Sequence, residues 1–323
     1  MSYNNRVQIL DFEQPIYKIQ DKIDELKKTS IDTNINYDSE IIKLEEQTQA
    51  YKKELYSNLK PYQKLQIARH PQRPNFMDYV QYICDDFIEF HGDRHGTDDK
   101  AIIGGIASIS GQSVMLIGTL KGKSTKENLD CNFGMPQPQG YRKALRLFEH
   151  ANRFDLPIIT LVDTMGAYPG MQAEETGQGE AIAVNLREMA KFGVPIISVI
   201  TGEGCSGGAL GLAVANKVMI LEHAYYTVIS PEGCASILWK DAAMAQTATD
   251  ALKITGDNLL KFGIVDEIIK EPIGGAHYDI EQMANNLKDA LVKSLDEFKN
   301  MTSEELRKHR YSKFRNMGVF IQK

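Results

Sequence analysis

Paired cysteines are missing from this chain. The four that occur, Cys84, Cys131, Cys205 and Cys234, stand apart, and no C-x-x-C pair is formed. That spacing excludes zinc ribbons and thioredoxin-like redox motifs and fits reduced, intracellular thiols. Tryptophan occurs once, at Trp239. No apolar run approaches the roughly 18 residues a membrane-spanning helix needs, so no span is expected. A basic block is also lacking. Lys and Arg number 37 against 43 Asp and Glu, for a net charge of -6, which argues against nucleic acid as the partner. The opening segment MSYNNRVQILDFEQ has no apolar stretch of the secretory kind and carries Asp11 and Glu13, which transit peptides avoid.

What is present is ordinary globular composition, 42% hydrophobic and 25% charged. A chain of 323 residues holds one large domain with appendages, or two domains. Residues 9–58 are highly charged. Ile16, Ile19, Ile23 and Leu26, then Ile41, Leu44 and Tyr51, recur at helical spacing around a polar break at 30–39, which predicts an antiparallel helical hairpin. An amphipathic helix is predicted over 75–93. Two β-like runs, 101–109 and 113–120, meet at Ser110-Gly111-Gln112 as a hairpin, and a polar loop covers 121–140 before a helix over 141–154.

From there an α/β rhythm sets in. A buried strand over 157–164 ends at Met165-Gly166-Ala167-Tyr168-Pro169-Gly170, and a helix is predicted over 174–192. A strand at 194–201 runs into the stretch TGEGCSGGALG, and a short helix covers 210–215. Strands at 217–222 and 225–230 follow, then a helix with Ser230 as N-cap and Pro231 in its first turn. A helix over 241–262 with a turn near Gly256, a strand at 264–269, and helix from Asp279 to Asn316 with a capping box at Thr302–Glu305 complete the chain. Alternation of this kind implies an α/β core with parallel strands.

The glycines Gly202, Gly204 and Gly207 spell G-x-G-x-x-G after a strand, and Glu222 ends the next one, which on paper is a dinucleotide fingerprint. Three features oppose it. The helix after Gly207 is short and holds Gly208 and Gly211, each costing about 1 kcal/mol against Ala. Glu222 is followed by another strand instead of a helix. A second glycine turn already ends the preceding strand, at DTMGAYPG. Two glycine turns at neighbouring strand ends suggest one shared cleft. Bare backbone at a helix start can aim N–H groups at a developing oxyanion; tight helix–sheet packing is the plainer use of such glycines.

Eight segments together carry a resemblance: HGDR (91–94), IGGIA (103–107), NFGM (132–135), PQGYRKALRL (138–147), VDTMGAYPG (162–170), GEGCSGGALG (202–211), VISPEG (228–233) and GGAH (274–277). The chain resembles the carboxyltransferase α subunits of multi-subunit acetyl-CoA carboxylase from about residue 5 to the C-terminus. The resemblance implies an α/β, crotonase-like core of ββα superhelical units with an N-terminal helical hairpin and C-terminal helices. It divides the chain into an extension (1–74), a carboxyltransferase core (75–278) and C-terminal helices (279–323). It implies transfer of the carboxyl group from carboxybiotin, held on the biotin carboxyl carrier protein and not on this chain, to acetyl-CoA, giving malonyl-CoA for fatty-acid synthesis. The implied partners are a zinc-ribbon β subunit, the carrier protein and biotin carboxylase, in an α2β2 carboxyltransferase. Membrane, nucleic acid and a metal in this subunit are not implied, and the compartment is cytoplasm or plastid stroma.

By motif position, Gly207 and Gly208 supply backbone donors for the biotin ureido anion, Gly166 and Ala167 are the candidate second wall, and Ala209 and Tyr168 are assigned to substrate binding. The alternative is a stand-alone crotonase-like acyl-CoA hydratase or hydrolase. Cys205 stands where a smaller residue is expected and reads as inert. Ser206 invites a nucleophile-elbow reading that also needs an Asp…His pair, for which His223 and His277 are the candidates. His91–His95 reads as a loop capped by Asp93 and not as a metal cluster. Lys121, Lys123 and Lys126 read as loop lysines or phosphate contacts, Glu174, Glu175 and Glu180 as helix-start carboxylates, and Trp239 as core or interface.

Overall fold

The computed structural model describes residues 8–33 and 35–318. Residues 1–7, where the missing apolar leader is read, lie outside the described residues, as do residues 34 and 319–323. Helices α1 (Gln14–Thr33) and α2 (Asp38–Ser57) form the expected hairpin. Lys27 Nζ lies 2.7 Å from Glu45, and the Tyr56 hydroxyl donates to Glu13, so the chain doubles back on itself. A helix not anticipated from the sequence, α3 (Pro61–Ala68), follows with proline in its first turn.

The helix expected over 75–93 is cut short. Helix α4 (Phe76–Ile83) is capped by the Asn75 side chain, and Cys84 turns extended. Strand β1 (Asp86–Glu89) then pairs antiparallel with β2 (Ile102–Ile109). Phe87 and Ile88 fit a pleated edge, and an apolar run this short does not separate helix from strand by period. Strand β3 (Gln112–Thr119) returns from β2 through Ser110 and Gly111, at φ of 50° and 75°, the left-handed pair of a type I′ hairpin. The loop expected over 121–140 contains a capped helix, α5 (Thr125–Asp130).

Helix α6 (Pro138–Arg153) and strand β4 (Ile158–Thr164) come next. The single helix expected over 174–192 is two, α7 (Met171–Glu175) and α8 (Gln178–Met189), broken at Gly177 with φ of 87°. Strand β5 (Ile196–Cys205) is longer than anticipated. It runs through TGEGC, and α9 (Ser206–Leu210) begins where a loop was expected and ends where the predicted helix begins. Strands β6 (Lys217–Leu221) and β7 (Tyr225–Thr227), helices α10 (Pro231–Trp239), α11 (Ala245–Leu252) and α12 (Gly256–Lys261), strand β8 (Glu267–Ile269), and helices α13 (Ile280–Phe298) and α14 (Ser303–Arg315) complete the order. The helix expected over 241–262 is thus a short 3-10 turn plus α11 and α12, interrupted at Lys253 in the left-handed region.

These strands make one mixed sheet ordered β1-β2-β3-β4-β5-β6-β8, antiparallel over β1 to β3 and parallel from β3 onward. Strand β7 pairs with the far end of β5, beyond the reach of β6. Every residue of β4 and β5 is buried, as parallel strands covered on both faces require. Helix α6 lies on β2 and β3 and against α8, and α13 packs on β5, β8 and α4. The last helix is tied in by Arg310, whose guanidinium donates to the carbonyls of Met189, Phe192 and Val194 and to Asn216 Oδ1.

Candidate functional site

The site lies where β4 and β5 end side by side. Both strands point the same way, so the turns that leave them emerge at the same edge of the sheet. Gly202 and Gly204 are inside β5, not in a loop. A Cβ on Gly202 would stand 2.5 Å from Asp163 Oδ1 and 2.6 Å from its Cγ, so glycine there makes room for the carboxylate of the neighbouring strand. Gly204 pairs with Thr164 on one side and Tyr226 on the other. Neither glycine can cradle a pyrophosphate, because its backbone belongs to the sheet. Glu222 is bound to Lys270 at 2.6 Å and to the Glu271 amide, and serves no ribose. The dinucleotide fingerprint is therefore a coincidence of spacing.

The chain reverses at Ser206, which is exposed at φ of 57°, and enters α9. Gly207 and Gly208 occupy the first turn of that helix, where N–H groups have no carbonyl four residues back to bond. Gly208 rests directly on the other glycine turn. A Cβ there would stand 2.5 Å from the Gly166 carbonyl carbon and closer still to the Ala167 nitrogen. The Tyr141 hydroxyl fixes this arrangement by donating to the Gly208 carbonyl at 3.1 Å. Thr164 Oγ1 in turn holds Gly166 through both its N–H (3.1 Å) and its carbonyl (2.8 Å). Gly166, Ala167, Gly207 and Gly208 thus form one continuous wall of a cavity of about 930 Å³, with Met165, Val228 and Ile229 adding apolar surface. Ala209 is fully buried behind this wall. Tyr168 packs its ring against Gly170 and donates its backbone N–H to Pro136. Neither Ala209 nor Tyr168 lines the cavity.

The floor of the cavity is charged. Lys121 Nζ lies 2.7 Å from Asp163 Oδ1 and 2.8 Å from Glu203 Oε1. Arg69 Nε lies 2.8 Å from Glu203 Oε2, its Nη1 lies 2.6 Å from Glu232, and the Tyr225 hydroxyl donates to Glu203. Burial raises the Glu203 pKa, but Lys121 and Arg69 outweigh it and hold the carboxyl at about 2. Burial opposes the Lys121 charge, and the two carboxylates overcome that and keep it protonated well above the usual lysine range. Sequence reasoning took Lys121 for a loop lysine and missed Arg69, Asp163 and Glu203 altogether. The only signal was a lysine directly after a strand, since its partners lie 42 and 82 residues away.

Behind the floor, Arg73 and Glu271 form a buried bidentate pair at 2.6 and 3.1 Å. His277 stacks on His70 at 3.9 Å between ring centroids. Desolvation, with His70 and Arg73 nearby, drives the His277 pKa down to about 3. Among the described residues no histidine bonds the Ser206 hydroxyl, so no nucleophile–base pair is assembled there; His223 and His277 sit in the buried cluster around Glu271. Cys205 is 1% exposed, and burial with Glu203 nearby pushes its thiol up to about 12, which leaves it inert. Asp93 caps its loop by accepting from the backbone of His95 and Thr97. Lys123 pairs with Asp78, and Lys126 is exposed. Glu174 and Glu180 stand in the first turns of α7 and α8. Trp239 ends α10 at 39% exposure, so it is not core.

A family described as acetyl co-enzyme A carboxylase carboxyltransferase-like matches residues 9–318. The acetyl-coenzyme A carboxylase carboxyl transferase subunit alpha of Prochlorococcus marinus (strain NATL2A) is 53% identical over 314 residues, covering 97% of this chain and 95% of the relative. The protein of the same description from Trichodesmium erythraeum (strain IMS101) is 50% identical over 323 residues and covers both chains completely. Among solved structures, the transcarboxylase 12S core with methylmalonyl-coenzyme A bound superposes with a TM-score of 0.57 at 19% identity, over 72% of this chain and 44% of that one. The expected fold, a crotonase-like α/β core, is the one found.

Proposed function

This chain belongs to the acetyl co-enzyme A carboxylase carboxyltransferase-like family, and from that premise we propose that it is the α subunit of a carboxyltransferase that, with its β subunit, makes malonyl-CoA from acetyl-CoA. The observation that carries the reading is relatedness over essentially the whole length, at 53% identity. The group implied by the family is carboxybiotin, which when bound supplies the carboxyl group to be transferred. The residues present suit it in one respect: the wall is bare backbone, and the space a Gly208 Cβ would take is the space that joins the two turns.

In this reading Gly207 and Gly208 present first-turn N–H groups to the oxygen on which negative charge develops, at the start of a helix. Gly166 and Ala167 continue the same wall beside those donors. Met165, Val228 and Ile229 give the cavity an apolar lining, with Met165 and Val228 standing exposed at its mouth. No side-chain nucleophile is used. Asp163, Glu203 and Glu232 line the cavity but each is ion-paired, which leaves no free carboxyl for the acid–base addition of water that a hydratase performs. Residues 75–278 carry most of the chemistry, residues 279–318 pack on that core, and 1–74 serve assembly except that Ala68, Arg69, His70, Pro71 and Arg73 also line the cavity. The proposal extends to a zinc-ribbon β partner in an α2β2 complex, to the biotin carboxyl carrier protein and biotin carboxylase as further partners, and to cytoplasm or plastid stroma as the site of action. Among the described residues no helix is long and apolar enough to cross a membrane.

The test is reconstitution. The pure chain is expected to be inactive, and malonyl-CoA-dependent carboxyl transfer to biotin is expected to appear only when the β subunit is added. Transfer, hydration or hydrolysis of acyl-CoA by the pure chain at comparable rates would refute the two-subunit reading.

A further inference from the structure

Asp163 lies three residues before Gly166, and Glu203 three residues before Ser206, so each carboxylate sits just below one of the two glycine turns. The β4–β5 register shifts between Val162 and Thr164 and resumes only with Thr164 opposite Gly204, so a single pair of the ladder holds these strand ends beyond the irregularity. Side-chain contacts across the shift add to that one pair. Lys121 Nζ bridges Asp163 Oδ1 at 2.7 Å and Glu203 Oε1 at 2.8 Å. The same Asp163 oxygen accepts the Glu203 amide at 2.8 Å, and the Asp163 amide donates to Thr119 Oγ1 at 2.6 Å. Both carboxylates are nearly buried, so without the ammonium they would face each other as like charges in a poorly solvated space. Glycine at 202 is what lets the Asp163 carboxylate lie this close to β5.

We propose that Lys121 is a positioning residue for carboxyl transfer: by bridging Asp163 and Glu203 it fixes the offset between the Gly166–Ala167 turn and the Gly207–Gly208 turn. The inference rests on the reading of the cavity given above. Lys121 does not need to touch the substrate. Its effect passes through two strand ends to the donors, and it therefore belongs to kcat and not to binding.

The experiment uses the full chain with its β subunit and compares wild type, Lys121→Met and Lys121→Arg in malonyl-CoA-dependent carboxyl transfer to biotin. A displacement of the donors by about 1 Å is expected to lower kcat roughly 100-fold in Lys121→Met, with KM for malonyl-CoA unchanged, and Lys121→Arg is expected to recover part of the loss. Wild-type kcat in Lys121→Met, or a loss that Lys121→Arg does not relieve, overturns the proposal. If Lys121→Met fails to assemble, Asp163→Asn removes one arm of the bridge, and an unaltered kcat there overturns it equally. If the wild-type complex transfers no carboxyl group, the reading of the cavity falls instead. Amide exchange then decides the positioning role: faster exchange at 164–167 and 206–209 in Lys121→Met supports it, and unchanged exchange overturns it.

Discussion

Gly207 and Gly208 adjoin in the chain but differ in the room each has for a side chain. A Cβ on Gly207 meets nothing nearer than Ile182 at 3.7 Å, whereas one on Gly208 is driven into the Gly166–Ala167 backbone. Gly207→Ala is therefore expected to keep kcat within a few-fold and to stabilise α9 by up to about 1 kcal/mol. Gly208→Ala must push the two turns apart. It is expected to cost about 2 kcal/mol of stability and roughly 100-fold in kcat, with β-subunit binding retained; steady-state kinetics and thermal melts on the two variants check this. The motif was legible in the sequence, but the difference between its glycines was not, because the obstacle at Gly208 comes from residues some 40 positions earlier. His277 makes a second case. Its folded pKa of about 3 lies below the unfolded value of about 6.5, so in that interval the unfolded chain binds the extra proton. Its contribution is complete above about pH 6.5 and declines on acidification, by up to about 1.4 kcal/mol per pH unit. Chemical denaturation at a series of pH values is expected to show this slope, and His277→Phe is expected to flatten it.

Helix α14 is held by an unusual anchor. Arg310 is buried with four oxygen acceptors around it and no carboxylate among them, and burial, with Arg307 adding to it, lowers its pKa to about 10. Three of those acceptors are carbonyls in and after the last turn of α8 and in the approach to β5. Arg310→Met would leave them unsatisfied, and the expected destabilisation is about 3 kcal/mol, read as a lower midpoint in denaturant. Element existence was well signalled where a cap or a turn residue was used to read it. Ser230 and Thr302 do cap α10 and α14 through their side chains, and Ser110–Gly111 does make the hairpin, whereas the capping box that starts α5 at Ser124 went unread. Boundaries failed where tertiary pairing overrode the local pattern. The apolar segment after Cys84 became β1 because β2 offered it an edge, and the glycines of TGEGC became strand because Thr164 and Tyr226 offered ladders on both sides.

At the scale of the whole molecule, the buried apolar core spans the sheet and the helices that cover it, from Phe76 to Leu306. The N-terminal hairpin stands apart from it in character. Only Ile16 and Ile23 of α1, and Ile41 and Thr48 of α2, are buried. Hydrogen exchange is therefore expected to be markedly faster in α1 and α2 than in β4 and β5, and equal protection would show that the hairpin unfolds only with the core. The sequence by itself determined the α/β class, the family, the strand-ending glycine turns and most helices, because local period, caps and turn chemistry are written within a few residues of where they act. Tertiary structure alone decided which glycine has no room for a side chain, that G-x-G-x-x-G is mostly strand, and that a lysine read as solvated is the tie between two buried carboxylates. Each of those depends on atoms brought together from distant positions in the chain, and no pattern within one segment encodes such a meeting.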